Sequence, residues 1–262
     1  MQPRTNLQYT QNAINKIKQK MRSTRQCASA REKDHTFALD VPTEIGLKLT
    51  NRCNLRCTHC FQWDDGGYHH SLDKDELKKH GDLSFEIVNE LFNKTKEAKS
   101  SLYLWGGEPT LYAHWDRLID LISQDPRETV LCTNGVTLHT KMDSLLRISE
   151  CLTVLVSIEG PEDIHNEIRG KGTYDKIVKN LDQLITLKAN GQFKGSLSIE
   201  AVISDGLIPK MVEFCEYWES KGIDTLYLNF PWFIPPSVAD RMDEYFDDKF
   251  WWMGMGKGIT NS

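Results

Sequence analysis

From Glu44 onward the chain alternates between short apolar runs and longer amphipathic stretches. EIGLKLT, SLYLW, TVLCT, LTVLVSI, LSIEAVI and TLYLNF read as six strands. Between them, SFEIVNELFNKTKEA, LYAHWDRLIDLIS, KMDSLLRISE, YDKIVKNLDQLITLKA and LIPKMVEFCEYWES place apolar residues at i, i+3 and i+4, and Ser84 is a candidate N-cap. Strand then helix, repeated, predicts an α/β fold of parallel βαβ units with right-handed crossovers. Residues 1–43 are polar, with one short helix expected from Asn12 to Met21, where Ile14, Ile17 and Met21 fall at helical spacing. Residues 61–82 form a polar, Gly- and His-containing loop, long enough to be functional or mobile. From Phe230 the chain changes character to FPWFIPPS, a helix-like ADRMDEYFDDKFWW and a Gly-rich end, and residues 231–262 read as a C-terminal extension, either an appendage or the start of a further domain.

Composition narrows the function. The 262 residues are 39% hydrophobic and 26% charged, enough to bury one large core. Thirty-seven acidic residues against 32 basic ones give a net charge of −5 with no long basic run, which argues against nucleic acid as a partner. No apolar stretch reaches the roughly 18 residues of a membrane span, and Met1 to Thr10 is too polar for a signal peptide, so a cytoplasmic protein is expected. Seven cysteines, an odd number in a chain too large to need staples, point to metal or redox chemistry.

Three of the seven stand together in T-N-R-C-N-L-R-C-T-H-C-F, as Cys53, Cys57 and Cys60. A thiolate triad suits soft metals, with zinc and an iron–sulfur cluster as the candidates. Structural zinc takes four ligands, usually from two separated knuckles, and only one knuckle is present. His59 is a poor fourth ligand because it adjoins Cys60. A cubane held by three cysteines leaves one iron open to bind and reduce something.

C-x3-C-x2-C after a first strand resembles the radical S-adenosylmethionine enzymes, and it does not stand alone. Gly106-Gly107-Glu108-Pro109 follows the second strand, Thr133-Asn134-Gly135 the third, and Ser157-Ile158-Glu159-Gly160-Pro161 the fourth, with His165 and Arg169-Gly170 beyond. Each lies at the C-terminal end of a strand, where barrel-type folds gather their active sites. The resemblance covers about residues 44–230 and implies a partial (β/α)6 barrel. By the same resemblance, Cys53, Cys57 and Cys60 hold a [4Fe–4S] cluster whose open iron chelates S-adenosylmethionine. His59 stands where relatives have an aromatic residue against the adenine. Gly106, Gly107 and Glu108 bind the methionine amino group, Ser157 and Arg169 reach the carboxylate or ribose, and Asn134 joins the cofactor side. Glu159 replaces the Asp of an S-x-D-G run at a ribose contact. The implied reaction is reductive cleavage of S-adenosylmethionine to a 5′-deoxyadenosyl radical, which takes hydrogen from a substrate. An electron donor such as flavodoxin or ferredoxin is the implied partner.

Strand alternation extends the reading to the barrel lumen. If Ser157 and Glu159 face inward, so do Thr153 and Leu155, while Val154, Val156 and Ile158 meet the helices. Equal parity puts Gly46, Lys48, Thr50, Tyr103, Trp105, Ser198, Glu200, Val202, Tyr227 and Asn229 inside. Lys48, Glu200 and Tyr227 are then the candidate substrate-side residues, and Lys48 and Glu200 are expected to pair with each other or with neighbouring lumen groups. Cys132, Cys151 and Cys215 read as small buried hydrophobes, Cys27 as a free thiol, and His69 and His70 as solvated loop residues.

The SIEGPEDIHNEIRGKGTYDKI stretch most resembles the branch that carries a C-terminal SPASM domain with auxiliary clusters, whose members modify peptides or proteins. No second cysteine-rich region follows Cys60 here. The expected function is modification of a ribosomally made precursor peptide by cross-link, thioether or epimer. Sulfatase maturation or small-molecule dehydrogenation is the alternative, and a non-catalytic iron–sulfur or zinc protein the alternative of another class.

Overall fold

The apolar runs do become strands, each within a residue or so of the expected bounds: β1 (Glu44–Thr50), β2 (Ser101–Gly106), β3 (Thr129–Thr133), β4 (Leu152–Ser157), β5 (Ser196–Val202) and β6 (Thr225–Asn229). Residues 11–73, 75–76 and 81–231, with six further positions between 237 and 249, are described in the computed structural model. All five strand pairings are parallel and run in chain order from β1 to β6. The sheet is open, with β1 and β6 as its two edges, in agreement with a partial barrel.

Parity divides the two faces. Leu47, Leu104, Leu131, Val154 and Leu197 follow one another in register across five strands, and all are buried on the helix side. Against them pack α2 (Phe85–Lys94) through Val88 and Phe92, α3 (Trp115–Gln124) through Leu118, Ile119 and Ile122, and α4 (Met142–Arg147) through Leu145. Farther along the sheet, α6 (Thr173–Ala189) contributes Ile177, Leu181 and Leu184, and α7 (Met211–Ser220) contributes Phe214 and Trp218. Each such side chain contributes about 1.5–3 kcal/mol on burial, so this face holds the sheet in place. Ser84 caps α2 as expected, its Oγ accepting the N–H of Ile87 at 3.4 Å. At the N-terminal end of β3, Arg127 is buried. It donates to Thr95 Oγ1 at 2.6 Å and to the Phe92 carbonyl at 2.8 Å, and it pairs with Asp125.

Three expectations change. The N-terminal helix α1 spans Gln11–Lys33, well beyond Met21, because the segment holds no Gly or Pro and ends with Arg31 and Lys33, which suit a helix C-terminus. Its Ile17 and Met21 are exposed, so the apolar spacing seen in the sequence does not bury. Helix α5 (Glu162–Arg169) was not anticipated, since Ile164 and Ile168 are its only apolar residues. Glu162 and Asp163 in its first turn favour it electrostatically. The loop after Cys60 is not merely polar: Trp63 is buried and donates Nε1–H to the Asn51 carbonyl at 2.8 Å, and Gln62 Nε2 reaches the Gly106 carbonyl at 3.3 Å. Of the C-terminal aromatic run, Phe230 is exposed, while Trp232, Phe233, Phe250, Trp251 and Trp252 lie outside the described residues.

Candidate active site

The site begins where β1 ends. Thr50 Oγ1 accepts the N–H of Arg52 at 3.1 Å and donates to the Gly81 carbonyl at 3.0 Å, which turns the chain out of the sheet into the cysteine loop. The Gly106-Gly107-Glu108 turn, at the end of the neighbouring β2, presses against this exit. Gly107 N–H donates to the Thr50 carbonyl at 2.7 Å and Glu108 N–H to the Arg52 carbonyl at 2.7 Å. A Cβ on Gly107 would lie 2.3 Å from the Arg52 oxygen and one on Gly106 2.4 Å from the Thr50 oxygen. The two glycines are therefore required by the passing backbone of residues 50–52, whatever ligand they also approach.

Glu108 is fully buried, and its carboxylate is taken up by four donors. Oε1 accepts from Thr110 N–H at 3.1 Å, Thr110 Oγ1 at 2.6 Å and Thr133 Oγ1 at 2.7 Å, and Oε2 accepts from Asn134 N–H at 2.7 Å. Burial nevertheless pushes its pKa up, against the pull of these hydrogen bonds. The side chain ties the end of β2 to the end of β3. Asn134, so placed, turns its amide to the cysteine loop, with Nδ2 at 2.8 Å from Asn54 Oδ1 and 3.9 Å from Cys53 Sγ.

Cys53, Cys57 and Cys60 share one loop, which is pinned to α5 by Thr58 N–H donating to the Ile168 carbonyl at 2.9 Å. Burial pushes the Cys53 thiol up to about 11, and the Glu108 carboxylate adds to the rise. Cys57 is also raised by burial, with Arg169 opposing the shift. In both, burial favours the neutral thiol. Among the described residues no three His, Cys, Asp or Glu side chains converge as ligands of a single metal ion do. Three cysteines on one loop, with no second knuckle in the sequence, suit separate irons of a cluster better than one tetrahedral zinc.

On the other side of the loop stand Glu159 and Arg169. Arg169 Nε donates to Glu159 Oε1 at 2.8 Å, its Nη2 meets the same oxygen, and Val202 N–H donates to Oε2 at 2.9 Å. Burial alone would raise the Glu159 carboxyl, but Arg169 and His59 together with the Val202 N–H outweigh it and hold the group below the usual carboxylate range. His59 Nε2 lies 3.6 Å from Glu159 Oε1 and remains partly exposed. The sequence assigned Glu159 and Arg169 to separate ligand contacts; here they bind each other, and the Ser157 hydroxyl donates to Glu200 Oε1 at 2.9 Å.

The lumen face carries the residues that parity predicted. Lys48 pairs in register with Trp105, and Ser157 with Glu200, which in turn faces Tyr227 on β6. Of the two pairings expected for Lys48 and Glu200, the structure has the second: each is held by neutral neighbours. Two residues depart from the sequence expectation. Cys132 is a lumen group and not a core hydrophobe, its thiol 3.1 Å from Glu200 Oε1. The Thr129, Leu131, Thr133 alternation already assigned it to that face. His69 is buried and not solvated, with its ring against Tyr68 and Trp63 and its Nε2 3.4 Å from Lys48 Nζ. Only the folding back of the loop brings it there, so no sequence signal marked it. His70 is exposed, as expected.

An open parallel sheet with three thiols, two buried carboxylates and a buried guanidinium at its C-terminal rim defines an α/β half-barrel whose reactive groups gather at that rim. Residues 47–195, more than half of the chain, match the radical SAM superfamily, and the chain belongs to it. The family's cofactors are a [4Fe–4S] cluster and S-adenosylmethionine. Among curated relatives, the mycofactocin maturase MftC of Mycolicibacterium smegmatis is 27% identical over 179 residues, covering 67% of this chain and 41% of that protein. The cysteine-type anaerobic sulfatase-maturating enzyme of Clostridium novyi is 27% identical over 147 residues, covering 50% and 37%. The chain thus spans about two fifths of the length of these relatives. Among solved structures, Streptococcus suis SuiB bound to S-adenosylmethionine superposes with a TM-score of 0.61 over 94% of this chain and 55% of that one, at 16% identity. Native anSMEcpe with bound AdoMet gives a TM-score of 0.55 over 71% and 50%, at 20% identity. At these identities the likeness is one of fold. Among the described residues no helix is long and apolar enough to cross a membrane.

Proposed function

We propose that Cys53, Cys57 and Cys60 hold the [4Fe–4S] cluster and that residues 44–230 form the core of a radical S-adenosylmethionine enzyme that modifies a peptide. The observation that carries this reading is the loop of three thiols braced on one side by the glycine turn and Asn134, and on the other by α5, within the stretch that matches the family. When bound, the cofactor pair supplies a one-electron cleavage of the sulfonium and, from it, a hydrogen abstractor.

The chain's own residues do the positioning. Gly106 and Gly107 present backbone to the methionine end of S-adenosylmethionine, and Glu108 acts behind them by fixing Asn134 and the turn. Arg169, locked on Glu159, offers its remaining charge to the Cys57 sulfur and favours the thiolate. His59, Asn134, Ser157 and Glu159 complete the cofactor side. The lumen wall of Lys48, Glu200 and Tyr227 receives the substrate and shields the reaction from water.

A peptide substrate is supported by the maturase relative and by the fold of SuiB, which has been solved with its precursor peptide SuiA. A cytoplasmic setting and a small electron-transfer protein such as flavodoxin or ferredoxin fit the same reading. A small-molecule substrate is the second reading, favoured by the GTP 3′,8-cyclase of Clostridium perfringens, 29% identical over 152 residues. Anaerobic reconstitution tests the core proposal. The wild type should bind iron and sulfide in equal amounts and form 5′-deoxyadenosine on reduction. Cys53→Ala, Cys57→Ala and Cys60→Ala should each lose both, while Cys215→Ala on α7 keeps its iron. Zinc bound in place of iron, or unchanged iron in Cys57→Ala, would overturn it.

A further inference from the structure

We propose that Lys48 is the binding point for a carboxylate of the substrate, so that the enzyme selects peptides presenting an acidic side chain or a free C-terminus to the β1 side of the lumen. The inference rests on the reading of the lumen as a peptide site and deepens it.

Lys48 leaves β1 on the lumen face, half-buried, beside Trp105 of β2. Its ammonium donates to the Tyr68 hydroxyl at 2.8 Å and lies 3.4 Å from His69 Nε2. It sits 5.0 Å from the centroid of the Tyr68 ring and 5.8 Å from that of Trp105. An ammonium has three donors, and two are taken, both by neutral groups. No carboxylate lies within ion-pair distance among the described residues, although nearly every other lysine with a recorded contact has one. Glu200, the carboxylate of the same lumen, is on β5, with three strands between it and β1, and is held by Ser157 and Cys132.

A partly buried ammonium whose bonded partners are all neutral has a donor and a charge to offer, and an arriving anion supplies the missing counter-charge. The neighbours suit such an arrival. With Nε2 of His69 accepting from Lys48, the ring proton is on Nδ1, which is buried without a hydrogen-bond partner. Tyr68 and Trp105 offer aromatic faces to the ammonium without competing for its charge. One face of the lumen thus favours an anion and the opposite one, at Glu200, a donor, which gives the substrate an orientation.

The experiment uses the reconstituted, S-adenosylmethionine-bound protein, immobilised under anaerobic conditions and challenged with two synthetic random peptide pools, one ending in a free carboxylate and one in an amide. Cluster absorbance verifies that each variant is folded. The wild type should enrich Asp or Glu at a fixed position about tenfold, the equivalent of one charge-assisted hydrogen bond, if the ligand is a side chain. It should retain the free-acid pool over the amide pool by the same factor if the ligand is the C-terminus. Lys48→Arg should keep the preference, Lys48→Met lose it and Lys48→Glu invert it toward Lys and Arg. Peptides retained without acidic preference, or with one unchanged in Lys48→Glu, would overturn the assignment of Lys48 alone. If no form retains any peptide, the peptide reading itself fails and the inference with it.

Discussion

Arg169 and Glu159 are locked together beneath the cysteine loop, with both Nε and Nη2 of the guanidinium on one carboxylate oxygen and the other oxygen held by Val202 N–H. Removing one member of such a buried pair strands the other. Glu159→Gln should therefore destabilise the fold by about 3 kcal/mol, read by urea denaturation. The folded carboxyl is held below its unfolded value, so its contribution is fully present above the unfolded value of roughly 4.3 and is lost as the pH falls through the folded one. The gap between wild type and Glu159→Gln should close on acidification. A gap that stays constant to low pH would contradict the pairing.

His165 provides a second, separate acid response. It is fully buried on α5, accepts the Glu159 N–H at Nδ1 at 3.3 Å, and packs edge-on to Tyr174. Burial, reinforced by the Arg169 charge, pushes its pKa down to about 4. Between pH about 6.5 and about 4 the unfolded chain takes up a proton that the folded chain refuses, so stability should fall across that window by about 3 kcal/mol. His165→Phe should start about 1 kcal/mol less stable at neutral pH, through the lost acceptor, yet show a flatter acid slope. Equal slopes in the two proteins would rule this out.

Glu108 makes its prediction through geometry. Its four donors hold the ends of β2 and β3 in one arrangement, and an amide in its place sets an N–H₂ against at least one of them. Glu108→Gln should lose about 2–3 kcal/mol of stability and weaken S-adenosylmethionine binding, because Asn134 moves with the turn. Isothermal titration with S-adenosylmethionine checks the second effect, and unchanged affinity would show that Glu108 does not act through Asn134.

Two glycines near the same loop should behave oppositely on methylation. Gly107→Ala drives a Cβ into the Arg52 carbonyl and should cost about 1–3 kcal/mol or more, with reduced iron on reconstitution. Gly66→Ala meets nothing within 4 Å and should stay within about 0.5 kcal/mol of wild type. Iron retained in full by Gly107→Ala would mean that the turn and the cysteine loop are not mechanically joined.

What periodicity encodes, the sequence shows well. Strand alternation places Lys48, Ser157 and Glu200 on the lumen face because the pleat leaves only two choices per residue. The same rule, applied to TVLCT, would have found Cys132. The Arg169–Glu159 pair, the buried Glu108 and the stacked His69 escape because each depends on loops meeting across the rim, a long-range event that no local pattern records. Helix α1 shows the converse: Ile17 and Met21 carry the spacing of a buried face and remain exposed, since spacing fixes which residues share a face and not whether a neighbour covers it.

The open sheet has a consequence of its own. In a closed barrel, widening the interior means breaking a ladder of backbone hydrogen bonds. Here β1 and β6 are edges with no ladder closing them on each other, so Lys48 on one and Tyr227 on the other are related only through the curvature of the four strands between them. In such a scaffold a change of sheet curvature alters the aperture while every ladder hydrogen bond is kept.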